Sequence, residues 1–126
     1  MLKETITYTD FNDVERTEDC YFNLTKSELI AMNSATKGGL VTKLNTLMAA
    51  KDGAAILSFF AFLVHEAYGE KSEDGKRFVK SDEISTAFEQ TLAYDQLYMR
   101  LVTDADYAAK FVNGIIPADL RGAANK

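Results

Sequence analysis

The stretch Ala54 to Tyr68 constrains this chain more than any other. It reads Ala-Ala-Ile-Leu-Ser-Phe-Phe-Ala-Phe-Leu-Val-His-Glu-Ala-Tyr and is bracketed by Gly53 and Gly69. Its residues are good or neutral helix formers, and glycines suit the non-helical backbone at helix ends. A helix here is apolar on almost every side, because Ile56, Leu57, Phe59, Phe60, Phe62, Leu63 and Val64 cannot share one narrow face. Such a helix needs cover from other elements. It is too short to span a bilayer, which takes roughly 20 apolar residues. The stretch therefore reads as the central buried helix of a small domain, with one side available to a partner.

A chain of 126 residues is long enough to enclose such a helix within one domain. Its charges, 19 acidic against 14 basic for a formal net of −5, are interspersed and form no basic stripe, which argues against a nucleic-acid binder. With one cysteine, Cys20, no internal disulfide forms. The opening Met-Leu-Lys-Glu-Thr-Ile lacks the apolar run of a signal peptide, so the cytoplasm is the expected compartment.

Residues 2 to 10 alternate with the period of two of a half-buried strand, Leu2, Ile6 and Tyr8 opposing Lys3, Thr5, Thr7 and Thr9. Asn12 and Asp13 supply turn chemistry, and Cys20, Phe22 and Leu24 line one face of a second strand. The pair predicts a β-hairpin over residues 2–24 that needs cover for its apolar face. Thr25-Lys-Ser-Glu28 is a capping box opening a helix to about Ala35. A second helix, Leu40 to Ala50, places Leu40, Leu44, Leu47 and Met48 on one stripe ahead of the central helix. The polar run Gly69 to Arg77 reads as a surface loop, with Phe78 and Val79 returning to the body. Ser81 caps a helix from Asp82 to about Gln90, Ala93 to Val102 continues as helix, and Thr103 caps a last one over 104–113. Asn113-Gly114 and Pro117 end that helix. The expected fold class is α+β: an N-terminal β-hairpin, then a bundle of five to six short helices around the central helix 54–68. A single domain over 1–117 carries its helical part at 25–116, and 118–126 read as a flexible tail.

Chemistry-bearing residues are sparse. His65, the one histidine, reads as structural, at the edge of the core, and Cys20 as a small buried side chain in a strand. Glu70 to Ser81 imitates a calcium loop but puts Arg77 at the eighth position and Ser81 where the bidentate Glu belongs. The pairs Asp82-Glu83 and Asp104-Asp106 follow N-cap positions, where the helix dipole favours acids without any catalytic role. No phosphate-binding loop, Cys-x-x-Cys pair or nucleophile elbow appears, so no enzyme, cofactor or metal is expected.

Several stretches resemble the small tail assembly chaperones of long-tailed, siphovirus-type phages and prophages of Gram-positive bacteria. They are Lys3-Glu-Thr-Ile-Thr-Tyr-Thr-Asp10, Val14-Glu-Arg-Thr-Glu-Asp19, Tyr21-Phe-Asn-Leu-Thr-Lys26, Thr36-Lys-Gly-Gly39, Tyr68 to Phe78, Thr103-Asp-Ala-Asp106 and Phe111 to Pro117. The middle, Leu40 to Val64, departs from the pattern in being richer in Ala and Phe, and Cys20 stands where an aromatic or other apolar residue is expected. The resemblance implies a protein that binds the tape measure protein, keeps it soluble and helps recruit tail tube subunits, and is not retained in the virion. It also implies the major tail tube protein and a longer frameshifted form of the same chain as further partners.

On that reading amphipathic client helices lie in grooves between helices of this domain, held by apolar burial. Many copies, themselves oligomeric, act on one client by avidity. Phe59, Phe62, Tyr94, Tyr98 and Met99 are the expected groove residues, since aromatic and Met side chains suit adaptable interfaces. The rival is a small acidic phage or prophage inhibitor of a host nucleic-acid enzyme. That reading requires acids clustered on one face.

Overall fold

The computed structural model describes residues 1–35 and 37–121. Strands β1 (Leu2–Thr9) and β2 (Glu15–Phe22) pair antiparallel, from Leu2 opposite Phe22 to Thr9 opposite Glu15. The alternation read from the sequence holds: Ile6, Cys20 and Phe22 are buried, while the threonines of β1 face outward. The turn is built on Asp10, whose carboxylate accepts from the Asn12 and Val14 amides at 2.8 and 3.0 Å and pairs with Arg16 at 2.5 Å. Asp13 takes a positive φ of 60° there, a conformation that Asp tolerates. Beyond Ile6 and Cys20 the hairpin leaves the core, and its tip exposes Phe11 and Val14.

The sheet has four strands rather than two, in the order β1-β2-β3-β4. The expected surface loop begins as β3 (Tyr68–Lys71), which pairs with β2 only at Tyr21–Gly69 and Phe22–Tyr68. It returns as β4 (Phe78–Val79). Asp74 shapes the intervening turn by accepting from the Ser72 hydroxyl and the Lys76 amide, and Gly75 supplies a φ of 75°. Gly69 is needed for closeness: a Cβ there would meet the Phe78 ring at 2.7 Å and the Val79 carbonyl at 2.9 Å.

The helices are α1 (Lys26–Ala31), α2 (Gly39–Ala50), α3 (Gly53–Ala67), α4 (Asp82–Glu89), α5 (Leu92–Thr103) and α6 (Ala105–Ile115). An α+β fold with an N-terminal hairpin results, as expected. The capping box opening α1 is present in both directions, Thr25 to Glu28 and back. That helix stops at Met32 rather than Ala35, because Asn33 turns to a φ of 55°. Asp104, not Thr103, caps α6, its carboxylate accepting from the Tyr107 amide at 3.0 Å. The same helix runs through Gly114 to Ile115, and Gly114 lets Leu2 of β1 pack closely, a Cβ there falling 3.0 Å from a Leu2 methyl. The first residues of the expected tail form a 3₁₀ turn, Ala118–Leu120, whose Leu120 carbonyl accepts from the Gly38 amide. Residues 122–126 of that tail lie outside the described residues.

Phe22 is the centre of the core. It is fully buried, with Tyr68, Phe88 and Phe111 set edge-on around it at 5.6, 5.9 and 5.3 Å between ring centres. Leu24, Leu29, Leu63, Val64, Val112 and Ile115 are among the buried residues packed with it.

A polar clamp holds the elements around this core. Lys80 Nζ donates to the Asn23 carbonyl at 2.6 Å, the Glu66 carbonyl at 2.8 Å and the Glu28 carboxylate at 2.7 Å. Burial pushes the Glu28 carboxyl upward, but its bonds from Lys80 and the Thr25 amide outweigh that and hold it below the usual range. Lys80→Met removes the cation while keeping much of the stem, leaving a carboxylate and two carbonyls without their donor. It should cost about 2–3 kcal/mol at neutral pH, read as a lower urea midpoint with an unchanged slope. A depressed carboxyl contributes stability above its unfolded pKa and loses it as pH falls through the folded one. The difference between the variant and the parent should therefore shrink in acid.

Candidate functional site

The helix that organises the sequence is only half enclosed. Its buried residues Phe60, Leu63, Val64 and Ala67 belong to one face and mostly to the C-terminal half of α3. Towards its N-terminus, Leu57 is 45% exposed, and Phe62 on the outer face is 52% exposed. The preceding helix behaves alike: Leu40, Val41 and Leu44 are buried, Leu47 is half-buried and Met48 is exposed. Lys51, with a φ of 54°, turns α2 into α3, and Asp52 caps α3 by accepting from the Ala55 amide at 3.1 Å. The outer halves of α2 and α3 thus form a helical hairpin with much of its apolar surface in solvent. Between them lies an open, mainly apolar hollow of about 300 Å³, lined by Thr42, Lys43, Thr46, Leu47 and Phe59.

The five groove residues read from the sequence fall into three places. Phe59 and Phe62 stand three residues apart on α3, neighbours on its surface, with Phe59 in the wall of the hollow. Tyr94 and Tyr98 of α5 stack on each other at 5.6 Å, and Tyr94 meets Phe88 edge-on at 5.7 Å. The Tyr98 hydroxyl donates to the Leu57 carbonyl at 3.0 Å, so this pair braces α5 against α3 and α4. Met99 is half exposed on the outside of α5. The sequence reading missed Leu47, Met48 and Leu57 as surface residues. The available signal was the excess of apolar positions in Leu40 to Val64 over what one buried face can take.

The titratable candidates are occupied by structure. His65 lies between two carboxylates, its Nδ1 2.8 Å from Glu89 and its Nε2 2.9 Å from Asp82. The bonds from Asp82 and then Glu89 raise its pKa above the ordinary imidazole value, against a smaller opposing effect of burial. Burial pushes the Cys20 thiol up to about 11, so at neutral pH it is an unionised and weak nucleophile. Asp104 is an N-cap, and Asp82 serves His65 from the first turn of α4.

This bridge carries a pH dependence of fixed sign. A histidine with a raised folded pKa contributes stability that is complete below its unfolded value and is lost as pH rises through the folded one. Asp82 is almost fully exposed, so solvent screens its share and the contribution stays below about 1 kcal/mol. His65→Gln should therefore destabilise the protein at pH about 5.5 and be nearly neutral at about 8.5. Paired urea titrations at the two pH values check this.

Comparison with known proteins places the whole chain. A family model described as phage tail assembly chaperone matches residues 1–126. No curated protein and no solved structure matches.

Proposed function

The chain belongs to the phage tail assembly chaperone family, and from that membership we propose that it binds the tape measure protein while the tail is built. In this reading it keeps that long client soluble, helps to recruit tail tube subunits around it, and is left out of the finished virion. The work takes place in the cytoplasm of the bacterial host, with a siphovirus-type phage or prophage of a Gram-positive bacterium as the source. Residues 1–117 act as one chaperone domain, to which the turn Ala118–Leu120 is bonded through Gly38.

One observation carries the client site: the outer hairpin of α2 and α3 leaves Phe62 in solvent, one turn along α3 from Phe59, which walls the hollow. An amphipathic client helix laid along this hairpin would cover apolar surface on both molecules, at about 25 cal/mol for each Å² removed from water. Phe59 and Phe62 form the floor and rim of that contact. Tyr94 and Tyr98 hold α5 behind α3, and Met99 extends the apolar surface on the outside of α5. Many copies of the domain, themselves associated, line one client, so each contact needs little strength of its own. The acidic net charge keeps the loaded assembly in solution. The major tail tube protein and a longer frameshifted form of this chain are the further partners in this scheme. The family gives no support to the rival role as an inhibitor of a host nucleic-acid enzyme.

The test is co-expression with the tape measure protein encoded nearby, then size-exclusion chromatography with light scattering. A soluble complex with several copies per client, from a client insoluble alone, is the expected result. A client equally insoluble with and without the chain overturns the reading. Phe62→Glu places a charge where the client would lie and should reduce client binding about tenfold or more. Phe62 is half exposed, so the stability of the free variant should stay within about 1 kcal/mol of the parent.

A further inference from the structure

We propose that the open edge of β2, with the hollow beside it, takes an extended basic segment of a partner protein, which adds to the sheet as a further strand. This surface lies at the β2–α4 junction rather than on the α2–α3 hairpin, and the inference does not rest on the tape measure reading.

Hydrogen-bond parity in the hairpin identifies the edge. The Asp10 amide bonds the Val14 carbonyl, and 10 opposite 14 is in register with the rest of the pair. Fully bonded pairs therefore recur at every second position, 8 with 16, 6 with 18 and 4 with 20. The intervening pairs hold their side chains closer, as the Thr5–Asp19 and Thr7–Thr17 bonds at 2.7 and 2.9 Å show. The main-chain groups of Glu15, Thr17, Asp19 and Tyr21 then point away from β1. Tyr21 meets Gly69 of β3, but β3 diverges after that point, and no described strand pairs with Glu15, Thr17 or Asp19. The opposite edge of the hairpin differs, because Gln96 donates to the Thr7 carbonyl at 2.9 Å and α5 packs there.

Where β3 diverges, a hollow of about 390 Å³ opens between β2 and α4. Its apolar floor includes Cys20, Tyr68, Ile84 and Phe88. Glu18, Asp19, Glu70 and Glu83 also line it, and among the described residues no basic one does. The nearby cations are engaged elsewhere: Arg16 pairs with Asp10, and Lys71 lies over the Tyr21 ring. Glu18 accepts from the Tyr8 hydroxyl.

These features select the occupant. Charges alone would guard a strand edge against aggregation, but here the edge continues into an apolar hollow that a guarded edge does not need. A strand alongside Glu15–Asp19 gains main-chain bonds, and its alternate side chains reach the floor. The four carboxylates call for lysine or arginine at the flanking positions. A second copy offering its own β2 fits badly, since antiparallel pairing centred on Thr17 sets Glu15 opposite Asp19.

The probe is a synthetic peptide alternating lysine and valine, titrated into the isotope-labelled full chain and read by amide NMR. Shifts at Thr17 to Cys20, Tyr68 to Lys71 and the start of α4 are expected, weakening as salt rises and absent with a glutamate–valine peptide. Glu70→Gln with Glu83→Gln should weaken binding about twofold to tenfold. Thr17→Pro removes an outward N–H that no described strand uses and should abolish the shifts. If that variant does not fold, the charge variant and the glutamate peptide decide. Shifts confined to α2 and α3, equal binding of both peptides, or no binding overturns the proposal. Concentration-dependent shifts at the same amides without peptide overturn it in favour of a second copy.

Discussion

Everything in this molecule hangs on the C-terminus of α3. The last four carbonyls of any α-helix lack partners within the helix. Here each of the four finds one from a different direction. The Val64 carbonyl accepts from the Tyr68 amide, which turns the chain into β3. The His65 carbonyl accepts from the Ser85 hydroxyl of α4, Glu66 from Lys80, and Ala67 from the Asn23 amide at the end of β2. Helix, sheet and the α1 capping box meet at one point, and the Lys80 cation sits where the helix dipole is negative. The apolar core supplies most of the driving force, but this junction decides how the elements are oriented around it.

That junction also explains how much was legible in the sequence. The hairpin, the capping box and the helix positions follow from alternation, spacing and cap chemistry, all of them local. Lys80 pairing with Glu28, 52 residues away, leaves no local trace. Nor does the pairing of Tyr68 and Gly69 with β2, which made a polar run read as a loop when part of it is strand. Gly114 looked like a helix stop and proves to be a packing position against Leu2, a contact spanning almost the whole chain. Asp104 and Thr103 are both competent caps, and only the packing of α5 and α6 chooses between them. At the candidate site, aromatic composition pointed to α3 and α5. It did not separate the tyrosines bracing the two helices from the side chains left in solvent.

The division between a tied base and less covered projections suits a protein of this family. Around the α3 terminus, Leu63, Val64 and Ala67 are buried and the last four carbonyls are bonded. Away from it, the β1–β2 turn and the α2–α3 turn both carry apolar residues into solvent: Phe11 and Val14 on one, Met48 and Leu57 on the other. The first is held by the Asp10 network and the second by the Asp52 cap, so both present preformed surfaces. An interface that is ordered before contact loses less conformational entropy on binding.

The closeness of β1 to α6 has a bearing on how the protein comes into being. The Leu24 amide bonds the Ile115 carbonyl, and Leu2 rests on Gly114. Strand β1 is therefore finished by a helix that emerges from the ribosome much later than itself. At about 5–20 residues per second, the nascent hairpin spends several seconds with Ile6, Cys20 and Phe22 uncovered. During synthesis this chain is itself a bearer of unprotected apolar surface until α6 emerges to cover it.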